Sequence, residues 1–167
     1  MTFTITTFST PFGPFSAALT SNGAVVATAF GDVGALRGRL PRSIAVDFRE
    51  DAKLTAEVRR QVQEYGDGRR REFALALAPL GTDFQIRVWR ELAAVPYGTT
   101  CSYAELAGKI GSGPRAVGHA NARNPICLIL PCHRVVGASG ALTGFAFGVA
   151  LKEQLLAHER RADIAAA

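Results

Sequence analysis

Two short helical segments joined by a glycine turn constrain the fold of this chain more than any other feature. Ser102 and Glu105 have the S-x-x-E spacing in which the two side chains satisfy backbone amides at the start of a helix. This spacing predicts a helix over 103–110, and the Gly-Ser-Gly run at 111–113 predicts the turn that ends it. Any helix that follows must therefore pack close to the first.

A second helix is predicted directly after that turn. Pro114 stands where proline is favoured, at the first position of a helix, and the pattern continues to about Ala122. Asn124 precedes a proline and so avoids the α conformation, which ends the helix. The two segments form a predicted helix-turn-helix, a motif that by itself is as often an ordinary helical corner as a DNA-binding unit.

The composition of the second helix favours nucleic acid as its partner. Ala116 and Gly118 are small, so the helix backbone can approach a groove closely. Arg115 and Arg123 offer guanidinium groups to phosphates or to a base stack. The helix has few long side chains for reading bases, so we expect little sequence specificity. The formal net charge of +5 agrees with a polyanionic partner.

Length and cysteine content indicate the size of the fold and the compartment. The 167 residues fit one compact unit or two small ones, and a hydrophobic content of 48% is enough for a core. No apolar run reaches membrane-spanning length, and the N-terminus lacks the basic region of a secretory signal. The three cysteines are an odd number, which predicts reduced thiols in the cytoplasm and no disulfide framework.

Alternating and helical patterns divide the chain into two domains. Alternating apolar runs flank a Ser-Asn-Gly turn at 21–23 and predict a β-hairpin, with helical spacing over 50–65 and a strand-like run over 73–77. We predict a small sheet-plus-helix domain over 1–80. A mostly helical domain with the helix-turn-helix follows over 81–167, so the fold class is α+β.

One cysteine lies beside a histidine after a buried apolar run. Residues 128–130 are Leu-Ile-Leu, a strand-like run that leads into Cys132 and His133. A thiol attacks as its thiolate, and an imidazole held by a third group is a usual way to form one near neutral pH. Adjacent side chains rarely point the same way, so a water would link the two. Glu153 and Glu159 downstream are the candidates for holding the ring.

Two other interpretations of this cysteine stay open from the residues alone. A free cysteine is more often an inert core residue than a nucleophile. Zinc binding is disfavoured, because the spacing from Cys127 to the Cys-His pair is poor for zinc and no second ligand cluster is present.

The run Pro-Cys-His-Arg-Val-Val at 131–136 resembles the active-site signature of the O6-alkylguanine-DNA alkyltransferases, also called methylated-DNA-protein-cysteine methyltransferases. The N-terminal half looks like the α+β domain of that family, which is ribonuclease H-like. The resemblance covers about half of the chain. It extends over residues 81–85, 88–89, 95–98, 102–103, 115–118, 124–125 and 155–159.

The resemblance implies a chemical role for three residues. Cys132 would accept the alkyl group, His133 would be the water-linked base, and Glu159 would be the carboxylate that orients the base. The product would be a thioether, which offers no activated carbonyl to water. Each molecule would therefore act once, and the resemblance implies neither a cofactor nor a metal.

The resemblance also implies how the lesion is bound. Arg115 would fill the gap left by a flipped-out nucleotide, Tyr103 would help to rotate that nucleotide or polarise the guanine, and Asn124 would join the helix-turn-helix to the active-site strand. Arg123 and Arg134 would contact phosphates. Backbone groups of three residues would meet the base edges: Cys132, Val135 and Ala146.

The partner that follows is duplex DNA containing O6-alkylguanine, bound by a monomer, with cooperative binding along DNA as a further expectation. A lesion-binding relative without transfer is a rival interpretation, but those proteins replace the acceptor cysteine. A cysteine hydrolase would turn over, and a sequence-specific transcription factor would need base-reading side chains.

The loop after the active-site run departs from the family pattern. Phe145 stands where the family commonly has tyrosine, and Phe147 stands where it commonly has glycine. The bulk of Phe147 predicts a narrow pocket that favours methyl over larger adducts. The turn at 111–114 is about two residues shorter than the family's, which would change how the second helix docks.

Overall fold

The computed structural model describes the backbone of residues 1–166 and the side chains of residues 1–162. The chain divides into two compact units, Met1–Leu80 with Pro125–Cys127, and Gly81–Asn124 with the residues from Leu128 onward. Pro125–Cys127, which we assigned to the second domain, belong to the first unit. They join it because the Thr28 N–H donates to the Pro125 carbonyl at 2.8 Å and Thr28 forms a parallel bridge with Ile126.

The first unit is built on a mixed four-stranded sheet. The hairpin expected at 21–23 joins two antiparallel strands, and Gly23 has the positive φ of 88° that such a tight turn requires. The strand order is β3-β2-β1-β4, with β1 and β4 parallel and the other pairs antiparallel. The strands are β1 Thr2–Thr10, β2 Gly13–Leu19, β3 Val25–Phe30 and β4 Asp47–Glu50.

Two helices complete this unit, and one begins later than we predicted. The helices are α1 Val33–Arg37 and α2 Ala56–Gly66. The expected helix over 50–65 is wrong at its start, because Glu50 pairs with Ile5 in the sheet. The next residue, Asp51, turns the chain by accepting two backbone N–H groups through its carboxylate.

The strand predicted over 73–77 is also wrong. Leu77 makes a single bridge to Val25. The backbone N–H and carbonyl of Ala74 are instead satisfied by the buried side-chain amide of Gln61, at 2.8 and 3.1 Å. A side chain from α2 therefore takes the backbone bonds that a neighbouring strand would have made.

The second unit is mostly helical, so the predicted α+β class is confirmed. A buried side chain from each of three helices contributes to its core, namely Trp89, Leu106 and Val117. Two two-residue strands pair in parallel, Cys101 with Val135 and Ser102 with Val136. The elements are α3 Asp83–Ala93, β5 Cys101–Ser102, α4 Tyr103–Ile110, α5 Pro114–Ala122, β6 Val135–Val136 and α6 Val149–Ala166.

The helix-turn-helix is confirmed with the predicted bounds, α4 followed by α5. The Ser102 side chain accepts the N–H of Glu105 at 3.0 Å, which caps α4. Gly111 ends α4 in the left-handed region with φ 66°, and Pro114 occupies the first turn of α5. The glycine and the proline thus set the two ends of the turn.

The apolar run at 128–130 is buried as expected but is not a strand. Leu128 has φ 71°, in the left-handed region that bulky residues rarely adopt, and the chain turns there. Leu130 then accepts the N–H of Cys132 at 2.8 Å. The run therefore reverses direction directly before the cysteine.

Within the part of the chain that the structure describes, no helix combines the length and the apolar character that crossing a membrane requires.

Candidate active site and DNA-binding face

Cys132 opens a single 3-10 turn, Cys132–Arg134, and its side chain lies just beneath the surface with 6% exposed. The carbonyl of Cys132 accepts the side-chain N–H of Asn121 at 3.4 Å. Cys127, by contrast, lies within the first unit, where its sulfur is 3.4 Å from the hydroxyl of Thr28. Cys132 is therefore slightly exposed beside a histidine, whereas Cys127 is fully enclosed.

The neighbouring His133 is held by a carboxylate from α6. His133 Nε2 and Glu159 Oε2 are 2.6 Å apart, and both side chains are fully buried. Glu153, the other candidate, is exposed. The structure thus places Glu159 on the imidazole, as the resemblance implied.

The protonation of this pair follows from burial and charge. Burial alone would raise the pKa of Glu159, but the hydrogen bonds and charges of His133 and Arg134 outweigh it and hold that pKa well below its usual range. An ionised carboxylate only accepts, so the shared proton lies on His133 Nε2. Burial lowers the pKa of His133, with Glu159 opposing the shift. The neutral ring then carries no proton on Nδ1.

Arg134 corrects one of our predictions. We expected it to contact phosphate, but its side chain is buried, with 6% exposed. Its Nε donates to Glu159 Oε1 at 2.8 Å and its Nη2 to Glu159 Oε2 at 3.2 Å. Its Nη1 donates to the carbonyl of Val95 at 2.8 Å. The guanidinium is therefore committed to the interior and cannot bind DNA in this conformation.

The loop after α3 closes over the same carboxylate. Gly98 donates its backbone N–H to Glu159 Oε1 at 3.2 Å. The guanidinium of Arg134 lies 5.5 Å from the centre of the Tyr97 ring. The run at 95–98 thus packs against Glu159, which holds the imidazole, and against Arg134, which binds Glu159.

Lys152 is a functional candidate that we did not predict. It is fully buried, and its Nζ donates to the carbonyls of Val135 and Thr143, at 2.5 and 2.9 Å. Burial lowers the pKa of Lys152, and the charge of Cys132 opposes that shift. No ion pair to a carboxylate is seen for it among the described residues. The anion best placed to compensate this ammonium is the Cys132 thiolate.

Tyr103 lies at the start of α4, half-buried, near Cys132. Its hydroxyl donates to the carbonyl of Thr143 at 3.2 Å. Burial raises the pKa of Tyr103, hydrogen bonds from Thr143 and Asn121 oppose that shift, and the charge of Cys132 adds to it. A Cβ at Gly118 would lie 3.6 Å from the tyrosine ring, so this glycine brings α5 close to the ring.

Asn124 is fully buried and donates its side-chain N–H to the Leu130 carbonyl at 2.8 Å. It therefore ties the end of α5 to the turn that precedes Cys132. The carbonyls of Cys132 and Val135 accept from Asn121 and Lys152, respectively. Each carbonyl oxygen has a second lone pair, which is what a base edge would need.

The loop before α6 carries two aromatic rings. Phe145 and Phe147 are half-buried and meet edge to face, with ring centres 5.6 Å apart. Ala146 between them is exposed. The two rings support each other and so make this loop bulky.

One face of α5 is open to a partner. Arg115, Ala116 and Arg123 are exposed and Gly118 is half-exposed. The opposite face is buried through Val117 and its neighbours. The exposed face is basic and has small side chains, which fits a helix that approaches a nucleic-acid groove.

The described residues contain no group of three or more His, Cys, Asp and Glu side chains arranged to hold a metal ion.

Comparisons with known proteins show which proteins this chain is similar to. The family model described as 6-O-methylguanine DNA methyltransferase, DNA binding domain, matches residues 83–161. A methylated-DNA–protein-cysteine methyltransferase of Methanosarcina acetivorans is 41% identical over 89% of this chain and 93% of its own length. The enzyme of the same name from Methanosarcina barkeri is 49% identical over 72% of this chain and 78% of its own length.

A solved structure shares the whole fold. The Mycobacterium tuberculosis protein OGT, solved in complex with DNA, superposes with a TM-score of 0.82 at 36% identity, over 97% of this chain and 94% of that one. Sequence and structure relatives therefore agree, and the chain belongs to the methylated-DNA–protein-cysteine methyltransferase family.

Proposed function

We propose that this protein repairs O6-methylguanine in duplex DNA by moving the methyl group onto Cys132, once per molecule. The observation that carries the proposal is the buried chain of contacts beside the thiol. His133 is next to Cys132 and meets Glu159 at 2.6 Å. An imidazole oriented by a carboxylate next to a thiol is the arrangement that activates a sulfur nucleophile.

The first step is removal of the thiol proton. His133 Nδ1 accepts the proton of Cys132, directly or through one water, and the ring becomes an imidazolium. Glu159 stabilises that cation through Nε2. Lys152 favours the thiolate form of Cys132, because among the described residues no carboxylate forms an ion pair with this buried ammonium.

The second step is the transfer itself. The thiolate sulfur attacks the methyl carbon, a sulfur–carbon bond forms, and the bond from that carbon to O6 breaks. The departing guanine takes the electron pair and accepts a proton from the Tyr103 hydroxyl, which its raised pKa keeps protonated at neutral pH. The proton that His133 took from the thiol then returns through solvent to the tyrosinate, so the charges balance. The product is a thioether on Cys132, and since water does not cleave it, the thiol is not regenerated.

The partner we propose is duplex DNA with the exposed face of α5 in a groove. Arg115 fills the space of the flipped nucleotide, and Arg123 contacts phosphate. Val135, Ala146 and the two phenylalanines line the pocket for the base. We propose that one copy acts alone, with cooperative binding along DNA, and that it works in the cytoplasm, where its three cysteines, none of them in a disulfide, stay reduced.

Stoichiometry tests this function. With excess duplex carrying O6-methylguanine, repair should stop at one lesion per protein molecule. Cys132→Ala should repair none, and Cys127→Ala, a matched loss of a buried thiol, should reach the same plateau as the wild type. Repair that continues beyond one equivalent, or a plateau that survives Cys132→Ala, contradicts the proposal.

The role of Arg115 predicts a difference between two substrates. Arg115→Ala should slow repair of the lesion in duplex DNA about tenfold or more, because flipping costs a few kcal/mol that the guanidinium offsets. Reaction with free O6-methylguanine should change by less than about twofold, because a free base needs no flipping. The measurement is the second-order rate on each substrate.

Arg90→Ala is the control for that comparison, since Arg90 is an exposed arginine on α3. It should leave both rates near the wild-type values. Equal losses on the duplex and on the free base for Arg115→Ala exclude the proposed role in flipping.

A further inference from the structure

One buried carboxylate serves two cationic partners at this site. Glu159 is fully buried and contacts His133 through one oxygen and Arg134 through both. Of the two partners, only the histidine changes its charge near neutral pH. The charge of the arginine is permanent. The protonation state of His133 therefore depends on how much of the carboxylate charge Arg134 already neutralises.

The net charge of the buried groups shows which protonation state of His133 the fold favours. With a neutral imidazole, the buried set of Glu159, Arg134 and His133 has no net charge. With an imidazolium, the same set carries a net charge of about +1 in a water-poor interior, which is costly. Burial therefore opposes protonation of this ring before reaction.

Two cations near the ring oppose its protonation, and one carboxylate favours it. On α6, Lys152 lowers the pKa of His133, as does Arg134 on the turn itself, whereas Glu159 raises it. The loop after α3 contributes the Gly98 N–H, which also binds the carboxylate. Among the described residues, the other anion beside His133 is the thiolate of Cys132, the adjacent residue, and it forms only after the proton has moved to the ring.

The hydrogen bonds of the Arg134 guanidinium hold its charge against Glu159. Its Nε and Nη2 bind the two oxygens of Glu159, and its Nη1 binds the Val95 carbonyl, so the fork is anchored at a third point. An ammonium could supply the charge but not this two-oxygen grip.

We propose that Arg134 is a positioning residue that keeps His133 neutral before reaction and so keeps its Nδ1 able to accept the Cys132 proton. The proposal rests on the proposed role of His133 as the base. Without Arg134 the Glu159 charge would act on His133 alone, and the ring would be protonated too early to take a proton from the thiol.

The test is a titration of the imidazole nitrogens by NMR in the full-length protein, which contains three histidines. In the wild type, His133 should be neutral at pH 7 with its proton on Nε2. In Arg134→Gln the midpoint of the His133 titration should rise by about one pH unit or more. At a given pH the ratio of imidazolium to neutral imidazole would then be roughly tenfold larger. Arg134→Lys, which restores the charge, should return most of the shift.

Arg90→Gln is the matched control, because it removes one exposed positive charge from the same unit and should not move the midpoint. A merely structural Arg134 would destabilise the fold without moving the His133 midpoint. A midpoint in Arg134→Gln within about 0.3 pH units of the wild type overturns the proposal. If that variant does not fold, the protonation state of His133 in the wild-type protein at pH 7 is the test. An imidazolium overturns the proposal, and a neutral ring protonated on Nε2 supports it.

Methyl transfer measured on the same wild-type sample separates this proposal from the function. If the wild type transfers methyl and the His133 midpoint does not move in Arg134→Gln, the proposed role of Arg134 is wrong and the proposed function stands. If transfer does not occur, the function fails, while the effect of Arg134 on the His133 midpoint is still measured.

Discussion

Glu159→Gln should slow methyl transfer by about 100-fold or more while leaving affinity for DNA within about twofold of the wild type. The amide can still accept a hydrogen bond from His133, but it carries no charge to stabilise the imidazolium. Glu159 is fully buried and lies on α6, whereas the proposed DNA-binding face is on α5, so binding should be spared. The measurements are the single-turnover rate and the dissociation constant on the same duplex.

The same substitution should destabilise the fold. It leaves Arg134 as a buried charge without its carboxylate, and breaking such a pair from one side typically costs about 3–5 kcal/mol. Urea unfolding should show that loss in the free energy of unfolding. The rate must be measured at a temperature where the variant remains folded.

Glu153→Gln is the control, because it makes the same chemical change on the exposed face of α6. It should leave both rate and stability near those of the wild type. A folded Glu159→Gln protein that transfers methyl at the wild-type rate excludes the carboxylate from the mechanism.

Phe147→Gly should raise the rate for O6-benzylguanine relative to O6-methylguanine by roughly 5- to 150-fold. The ring of Phe147 is half-buried against Phe145 in the loop that we place over the alkyl group. Forcing a larger group into a filled pocket typically costs about 1–3 kcal/mol, which corresponds to that range of rates. Single-turnover rates on the free bases give the ratio without any contribution from base flipping.

Phe147→Tyr serves as the control, since it keeps the bulk and should keep the wild-type ratio. Thermal unfolding must show that the glycine variant is folded. A ratio that does not rise in Phe147→Gly shows that Phe147 does not gate the pocket.

Local signals predicted the helix-turn-helix correctly because short-range chemistry decides its ends. The Ser102 cap, the left-handed Gly111 and the leading Pro114 each act within one turn of the helix that they bound. Cys132 and His133 could be proposed as nucleophile and base for a similar reason, since they are adjacent in the sequence.

The wrong predictions concern segments whose backbone partners come from far along the chain. The apolar pattern at 128–130 reported burial correctly, but it could not report the turn at Leu128. Residues 73–77 alternate like a strand, yet Ala74 binds the Gln61 side chain. Periodicity shows which residues are buried and not which group satisfies their backbone.

The two buried cations of the site, Arg134 and Lys152, also have partners that the sequence pattern did not show. Arg134 looked like a phosphate ligand because most arginines are exposed. Lys152 had a usable signal: with Leu155, Leu156 and Glu159 it forms one buried stripe at helical spacing. A lysine on the buried stripe of a helix that also carries the candidate carboxylate Glu159 is a functional candidate.

The most direct test of the central claim is the location of the methyl group after reaction. The protein is incubated with duplex DNA carrying O6-methylguanine, and its peptides are then analysed by mass spectrometry. Cys127 and Cys132 lie in one peptide between Arg123 and Arg134, so fragmentation of that peptide must assign the modified residue. One methyl group should appear on Cys132, and none on Cys127 or on the peptide with Cys101. A methyl group on another residue, or a repaired lesion with an unmodified protein, would contradict the assignment of Cys132 as the acceptor.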